Sequence, residues 1–154
     1  MGDHRKVLLA MDESENSAEG FEFYMKHVHK RSDHLVVLYV PEYHTVIQSP
    51  MVMTDVSVVT DLLKNEETRI KSFLELLGNK LKKAGVGGKV KSVGGNPGEV
   101  VCKVANEEKA NLIVIGSRGM STLRRTLLGG VSDYVMHHAH IPVLICKQTE
   151  QPKV

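Results

Sequence analysis

The sequence predicts a doubly wound α/β fold, in which one parallel sheet of five strands carries helices on both faces. Short, unbroken apolar runs recur along the chain and are typical of strands buried on both faces. Segments of helical period separate successive runs, so that five strands alternate with four helices. The length of 154 residues is that of one compact domain, and we expect a single domain over residues 1–154.

The first strand, at residues 7–11, ends at Asp12 and leads into a helix. Four polar residues that favour helix N-caps follow the strand: Asp12, Ser14, Asn16 and Ser17. Apolar residues then recur at helical spacing, at Ala18, Phe21, Met25 and Val28. The second strand, at residues 35–40, is rich in β-branched residues and stops at Pro41. A strand–helix–strand unit of this kind requires a parallel sheet.

The rest of the chain continues the alternation after one segment that has no clear period. Residues 41–60 hold two prolines and a Met/Val cluster, and we expect a mobile segment near the mouth of the sheet. An amphipathic helix is predicted over residues 61–84 and is ended by the glycines that follow it. The remaining predicted elements are a weak strand at 90–93, a helix at 97–109 opened by Pro97, strands at 112–115 and 143–146, and a short helix at 129–138.

Composition and charge exclude several classes of protein. The formal net charge is +2, and 20 Lys and Arg are interspersed with 18 Asp and Glu, so no basic stripe predicts a nucleic-acid partner. No apolar run approaches the roughly 20 residues that span a bilayer, which predicts that the membrane is not a partner. Cys102 and Cys146 are too few and too far apart for a disulfide framework. Since the sequence starts without a secretory signal, we expect a cytoplasmic protein with buried free thiols.

The most informative stretch follows the fourth strand, where two pairs of glycines bracket a loop. Gly116 and Gly119 come at the end of the strand, and Gly129 and Gly130 open the next helix. Glycine lets the backbone approach a ligand closely, and amides at a helix N-terminus attract phosphate oxygens. A tight strand-to-helix turn is the alternative, but two pairs around a loop that contains Ser and Thr favour an anion site. The pattern is neither a Walker loop nor a dinucleotide fingerprint.

The loop spacing Gly-x2-Gly-x9-Gly, together with VLLAMDES, LVVLYV, NLIVIGSRG and HHAHIPVLIC, resembles the ATP-binding universal stress protein family over nearly the whole chain. The resemblance implies the sheet order 3-2-1-4-5 and a ligand at the carboxyl ends of strands one and four, where the order reverses. It implies ATP, or ADP or AMP, as that ligand, with Mg²⁺ accompanying the phosphates. It also implies a homodimer paired through the fifth strands, which would cover an exposed edge.

The same resemblance implies roles for individual residues. Asp12 is expected at the ribose hydroxyls, although the residues alone favour a plain helix cap as its single role. Four apolar residues are expected around the adenine: Ala10, Met11, Val40 and Ile115, of which Val40 and Ile115 also fit a plain core role. Six residues are expected around the phosphates: Gly116, Gly119, Gly129, Gly130, Val131 and Ser132. ATP binders of the family usually have Ser or Thr where this chain has Gly130, so a hydroxyl donor is lost there and Ser132 is a possible substitute.

Neither a metal site nor a catalytic constellation stands out in the sequence. The eight histidines include His27, His29, His137, His138 and His140, for which helix-end or surface positions are the simpler interpretation. Nucleophile elbows and metalloprotease motifs are absent. Three functions stay open: a nucleotide-binding stress-response module, which we favour, a slow ATPase on the same site, and an interaction protein that binds no nucleotide.

Overall fold

The computed structural model describes residues 4–41, 56–116 and 130–147, and a five-stranded parallel sheet lies at its centre. Its strands run in the order β3-β2-β1-β4-β5, which confirms both the predicted fold class and the order 3-2-1-4-5. Pairing is parallel throughout, with β1 between β2 and β4. The strands are β1 Lys6–Met11, β2 His34–Tyr39, β3 Gly88–Ser92, β4 Leu112–Gly116 and β5 Val143–Cys146.

Helices connect the strands and cover both faces of the sheet. They are α1 Glu15–Phe23, which a π-helical turn at Tyr24–Val28 extends, α2 Val56–Ala84, α3 Pro97–Glu108 and α4 Val131–His138. One apolar core lies between the sheet and α1 with α2, and a second lies between the sheet and α3 with α4. Because side chains alternate along a strand, β1 supplies Val7, Leu9 and Met11 to the first core and Leu8 to the second.

Helix α2 begins at Val56, five residues before the predicted start at 61. Its first turn reads Val-Ser-Val-Val-Thr, and β-branched residues have low helix propensity, so the sequence gives little local signal there. A helix extends readily once nucleated, and the strongly amphipathic part of α2 supplies that nucleus. The mobile segment is predicted over residues 41–60. Residues 42–55 of it lie outside the described residues, and residues 56–60 belong to α2.

Two glycines at the α2–β3 connection serve different purposes. Gly85 has φ +67°, a left-handed conformation that ends α2 as the glycine pattern predicts. Gly88 instead belongs to β3, where a Cβ would stand 2.2 Å from the carbonyl oxygen of Leu35. Strand β3 therefore begins two residues before the predicted start at residue 90, because this glycine allows close backbone pairing with β2.

Helix α3 follows the predicted start signal. Asn96 is its N-cap, its side chain accepting a hydrogen bond from the amide of Glu99 at 3.3 Å, and Pro97 is the first helical residue. Both cysteines are free; Cys146 is buried as predicted, whereas Cys102 is half-buried. Burial raises the pKa of both thiols. Within the described ranges, no helix combines the length and apolar character that crossing a membrane requires.

Candidate functional site

Strands β1 and β4 lie side by side at the centre of the sheet, where the strand order reverses. Ala10 of β1 pairs with Ile115 of β4, so both strands end at the same edge. Asp12 follows β1 directly and Gly116 is the last residue of β4. Connections leave such neighbouring strands toward opposite faces, which opens a crevice at their carboxyl ends. This edge is where the fold favours a ligand.

Apolar side chains from β1, β4, the residue that follows β2 and the start of α4 lie on one face of this edge. Ala10, Val40 and Val131 are partly buried and pack against the α3/α4 core, of which Ile115 is a buried member. Met11 lies on the opposite face, 6% exposed, within the α1/α2 core. Of the four residues expected around an adenine, the structure therefore brings Ala10, Val40 and Ile115 onto one face. The side chain of Met11 is not with them.

Val93 is a neighbour that the sequence does not single out for the site. It follows β3, packs against the same α3/α4 core, and donates its backbone N–H to the carbonyl oxygen of Tyr39 at 3.1 Å. Its position just beyond a strand and on the same face as Val40 adds apolar surface to this edge. The order of the strands, which places β3 beside β2, is the signal that could have identified it.

Asp12 is fixed within a short polar turn between β1 and α1. Its Oδ1 accepts hydrogen bonds from the backbone N–H of Ser14, at 2.8 Å, and from the Ser14 hydroxyl. Ser17 Oγ in turn accepts the backbone N–H of Asp12 at 2.8 Å. Ser14 caps α1, because its side chain accepts a hydrogen bond from the backbone N–H of Ser17. The alternative that Asp12 caps the helix is therefore wrong: its carboxylate orients the serine that does so.

The amino end of α4 supplies three of the six residues expected around the phosphates, namely Gly130, Val131 and Ser132. Gly130 is the exposed N-cap with φ −68°, followed by the half-buried Val131 and Ser132. The first amides of a helix lack intrahelical partners and carry the positive end of the helix dipole. A Cβ on Gly130 would meet no atom within 4 Å. Gly119 and Gly129 fall within residues 117–129, outside the described residues.

Helix α1 packs against the backbone of Gly116. A Cβ on Gly20 would come within 3.3 Å of the Gly116 backbone, so α1 packs closely against the end of β4. Glycine at position 20 permits this approach, which fixes where the chain leaves the sheet. The sequence gives only an isolated glycine in a helix, whose packing role becomes visible once β4 is placed beside β1.

The histidines near the helix ends have local partners. His138 Nδ1 donates to the carbonyl oxygen of Tyr134 at 2.8 Å, and the two rings stack with centroids 4.0 Å apart. His137 Nε2 lies 3.6 Å from Asp133 Oδ1. Among the residues that the structure describes, no group of three or more His, Cys, Asp or Glu is placed to hold a metal ion.

Comparison with known proteins finds one family. The model of the universal stress protein family matches residues 4–147. Universal stress protein YxiE of Bacillus subtilis is 32% identical over 149 residues, which cover 92% of this chain and 98% of the relative. The solved structure of protein MJ0577, a universal stress protein of Methanocaldococcus jannaschii, superposes with a TM-score of 0.74 at 26% identity, covering 96% of this chain and 99% of that one.

A second solved structure shows the same fold at lower identity. It is a universal stress protein family member from Arabidopsis thaliana with AMP bound, and it superposes with a TM-score of 0.66 at 23% identity. The superposition covers 94% of this chain and 92% of that one. The sheet and helices described above are thus an arrangement that recurs among solved proteins of that description.

Proposed function

The chain belongs to the universal stress protein family, and from that premise we propose that it binds an adenine nucleotide at the carboxyl edge of β1 and β4. The observation that carries the proposal is the apolar group formed by Ala10, Val40 and Ile115 on one face of this edge, beside the exposed amino end of α4. A purine needs an apolar wall and phosphates need amides, and both occur here next to Asp12. The Arabidopsis protein of the same fold holds AMP.

We propose ATP as the ligand, with Mg²⁺ accompanying its phosphates. The carboxylate of Asp12 would accept from the ribose hydroxyls, and the amides around Gly116, Gly130 and Ser132 would face the phosphates, together with Gly119 and Gly129. The nucleotide would act as the signal of a stress-response module in the cytoplasm, a location with which two free cysteines agree. Analysis of the products after incubation with ATP distinguishes binding from slow hydrolysis.

Asp12→Ala tests the nucleotide site directly. We expect about tenfold weaker binding of both ATP and adenosine, because a hydrogen bond to a charged group contributes roughly 1.5 kcal/mol or more and the ribose is common to both ligands. Titration calorimetry measures both dissociation constants. Asp12→Asn is the matched control, since its amide oxygen can still accept from Ser14 and preserve the turn that caps α1. Loss of ATP binding alone would place Asp12 at a metal ion instead, and unchanged affinities would rule out the ribose contact.

Gly130→Ser is expected to tighten ATP binding about threefold to tenfold, equivalent to roughly 0.7 to 1.4 kcal/mol. The φ of −68° suits any L-residue and a Cβ there meets nothing within 4 Å, so the serine is accommodated without strain. Its hydroxyl adds a donor beside the first amides of α4. Calorimetry with ATP and adenosine, with Gly130→Ala as the variant that lacks the hydroxyl, measures the effect. Equal gains for both ligands, or a loss for ATP, would contradict the phosphate role of this position.

We propose that the protein forms a homodimer through β5, one of the two edge strands. Val143, Leu144 and Ile145 are only half-buried in this strand, whereas the other edge, β3, carries Lys89 and Lys91. Lysines on an edge oppose strand pairing between molecules, which favours β5 as the pairing edge. Light scattering at micromolar concentration is expected to give twice the mass of the 154-residue chain. A monomer under these conditions would count against the dimer.

A further inference from the structure

Four polar side chains meet where β2 ends beneath helix α2, and we refer to Glu13, Tyr39, Glu66 and Arg69 as the Glu13 cluster. The hydroxyl of Tyr39 donates to Glu13 Oε1 at 2.8 Å. Arg69 donates through Nη1 to the same Glu13 oxygen and to the Tyr39 hydroxyl at 3.3 Å, and through Nη2 to Glu66 at 2.6 Å. The guanidinium fork thus joins a turn, a strand end and a helix.

Tyr39 provides a rigid reference point for this cluster. It is the last residue of β2 and pairs with Met11 of β1, and its ring packs edge-on against Phe73 with centroids 4.8 Å apart. Burial, followed by the hydrogen bond to Glu13, raises the pKa of Tyr39 to about 12. The phenol therefore keeps its proton at physiological pH and continues to donate to Glu13.

Glu13 connects the cluster to the proposed ribose contact. It directly follows Asp12 and precedes Ser14, which bonds the Asp12 carboxylate. Within this turn, Ser14 holds Asp12, whereas Tyr39 of β2 and Arg69 of α2 hold the neighbouring Glu13. Displacement of the Glu13 side chain would remove the hydrogen bonds that join this turn to Tyr39 of β2 and Arg69 of α2.

The Glu13–Arg69 pair is too exposed to be explained by stability of the fold. The side chain of Arg69 is 39% exposed and that of Glu13 is 43% exposed. Exposed ion pairs of this kind typically contribute between about 0 and 1 kcal/mol to unfolding free energy. What the pair does achieve is geometric, since the planar fork fixes Glu13 and Tyr39 relative to each other.

We propose that Arg69 is a positioning residue for the nucleotide site: by holding Glu13 against Tyr39, it sets the direction in which Asp12 presents its carboxylate. The inference rests on the proposed function, because it takes Asp12 as the ribose contact. Arg69 acts through Glu13 and not through the ligand. Its removal therefore weakens ligands with and without phosphates by the same factor.

The test measures the affinities of native protein, Arg69→Ala, Arg69→Lys and Glu13→Ala for adenosine and for ATP with Mg²⁺. We expect Arg69→Ala to weaken both ligands about threefold to tenfold while Tm changes little. Arg69→Lys keeps the charge without the fork and should restore affinity in part. Combining Arg69→Ala with Glu13→Ala should add little to the larger single effect, because the two residues act as one unit. Lys71→Ala removes a cation from an exposed position of the same helix and is the matched control with native affinity.

Each outcome separates this inference from the proposed function. If native protein binds both ligands and Arg69→Ala binds them equally well, Arg69 has no positioning role, whereas the proposed function stands. If Arg69→Ala weakens ATP alone, its charge acts on the phosphates and the positioning role is wrong. If the affinity of Arg69→Ala falls only together with a large drop in Tm, and Glu13→Ala binds as the native protein does, the cluster serves the fold alone. Native protein that binds neither ligand would overturn the proposed function and this inference together.

Discussion

Asp33→Ala is expected to lower the free energy of unfolding by about 3 to 5 kcal/mol, the cost of breaking a buried ion pair by removing one partner. The side chain of Asp33 has no exposed surface. It accepts hydrogen bonds from Arg5 Nε at 2.9 Å and Nη2 at 2.5 Å, from the Tyr24 hydroxyl at 2.5 Å, and from the backbone N–H of Lys30 at 3.0 Å. These bonds join the chain before β1, the π-helical turn after α1 and the entry to β2. Urea denaturation at pH 7 measures the loss.

Asp33→Asn is the matched control for this prediction. The amide oxygen can still accept from Tyr24 and Lys30, whereas the charge opposite Arg5 is lost. We therefore expect a smaller loss of stability than for the alanine variant. A decrease below about 1 kcal/mol for Asp33→Ala would be within the range of an ordinary surface pair, and would show that Arg5 and Tyr24 find other partners at little cost.

The Asp33 carboxylate also makes the free energy of unfolding depend on pH in the acidic range. Burial raises the pKa of Asp33, but the hydrogen bonds from Arg5, Tyr24 and Lys30 lower it more, to about 2. A pKa below the unfolded value of 3.8 means that the stabilisation is complete above about pH 4 and is lost as pH falls toward 2. Glu108 titrates in the same window, because hydrogen bonds from Lys91 and Lys89 lower its pKa to about 2. The native protein should therefore lose more stability than Asp33→Asn over this interval, and parallel curves would contradict the assignment to Asp33.

Local patterns predicted the sheet well because its strands are buried on both faces. Continuous apolar runs identify such strands without knowledge of the rest of the fold, and the observed β1, β2, β4 and β5 agree with those runs to within a residue or so. The start of α2 and the start of β3 were harder to predict, because Val56 and Gly88 take conformations that their local propensities oppose. Pairing and helix propagation, which depend on neighbours, decide those positions.

Local sequence patterns could not predict the polar contacts, and the reason is a different one. Asp33 lies in a run of charged and polar residues that reads as a solvated turn, yet Arg5 and Tyr24 bring it into the interior. Glu13 and Arg69 are 56 positions apart in the sequence, and only the placement of α2 over β2 makes them partners. The sequence named Ser14 among four N-cap candidates, and the structure confirms it as the cap of α1. The hydrogen bond that Ser14 donates to Asp12 could not be predicted, because it depends on the backbone geometry of the turn.

Addition of ATP with Mg²⁺ at about 100 times its dissociation constant is expected to raise the free energy of unfolding by roughly 2.7 kcal/mol, since the ligand binds the folded state alone. For a chain of 154 residues this corresponds to an increase in Tm of about 5 to 11 °C. Asp12→Ala at the same ATP concentration is the control: with about tenfold weaker binding, linkage reduces the gain to roughly 1.4 kcal/mol, about half. Differential scanning fluorimetry gives both shifts, after mass spectrometry has shown that the purified protein carries no nucleotide. A flat titration to millimolar ATP in that empty protein would rule out the nucleotide site, and equal shifts in native protein and Asp12→Ala would place the ligand away from β1.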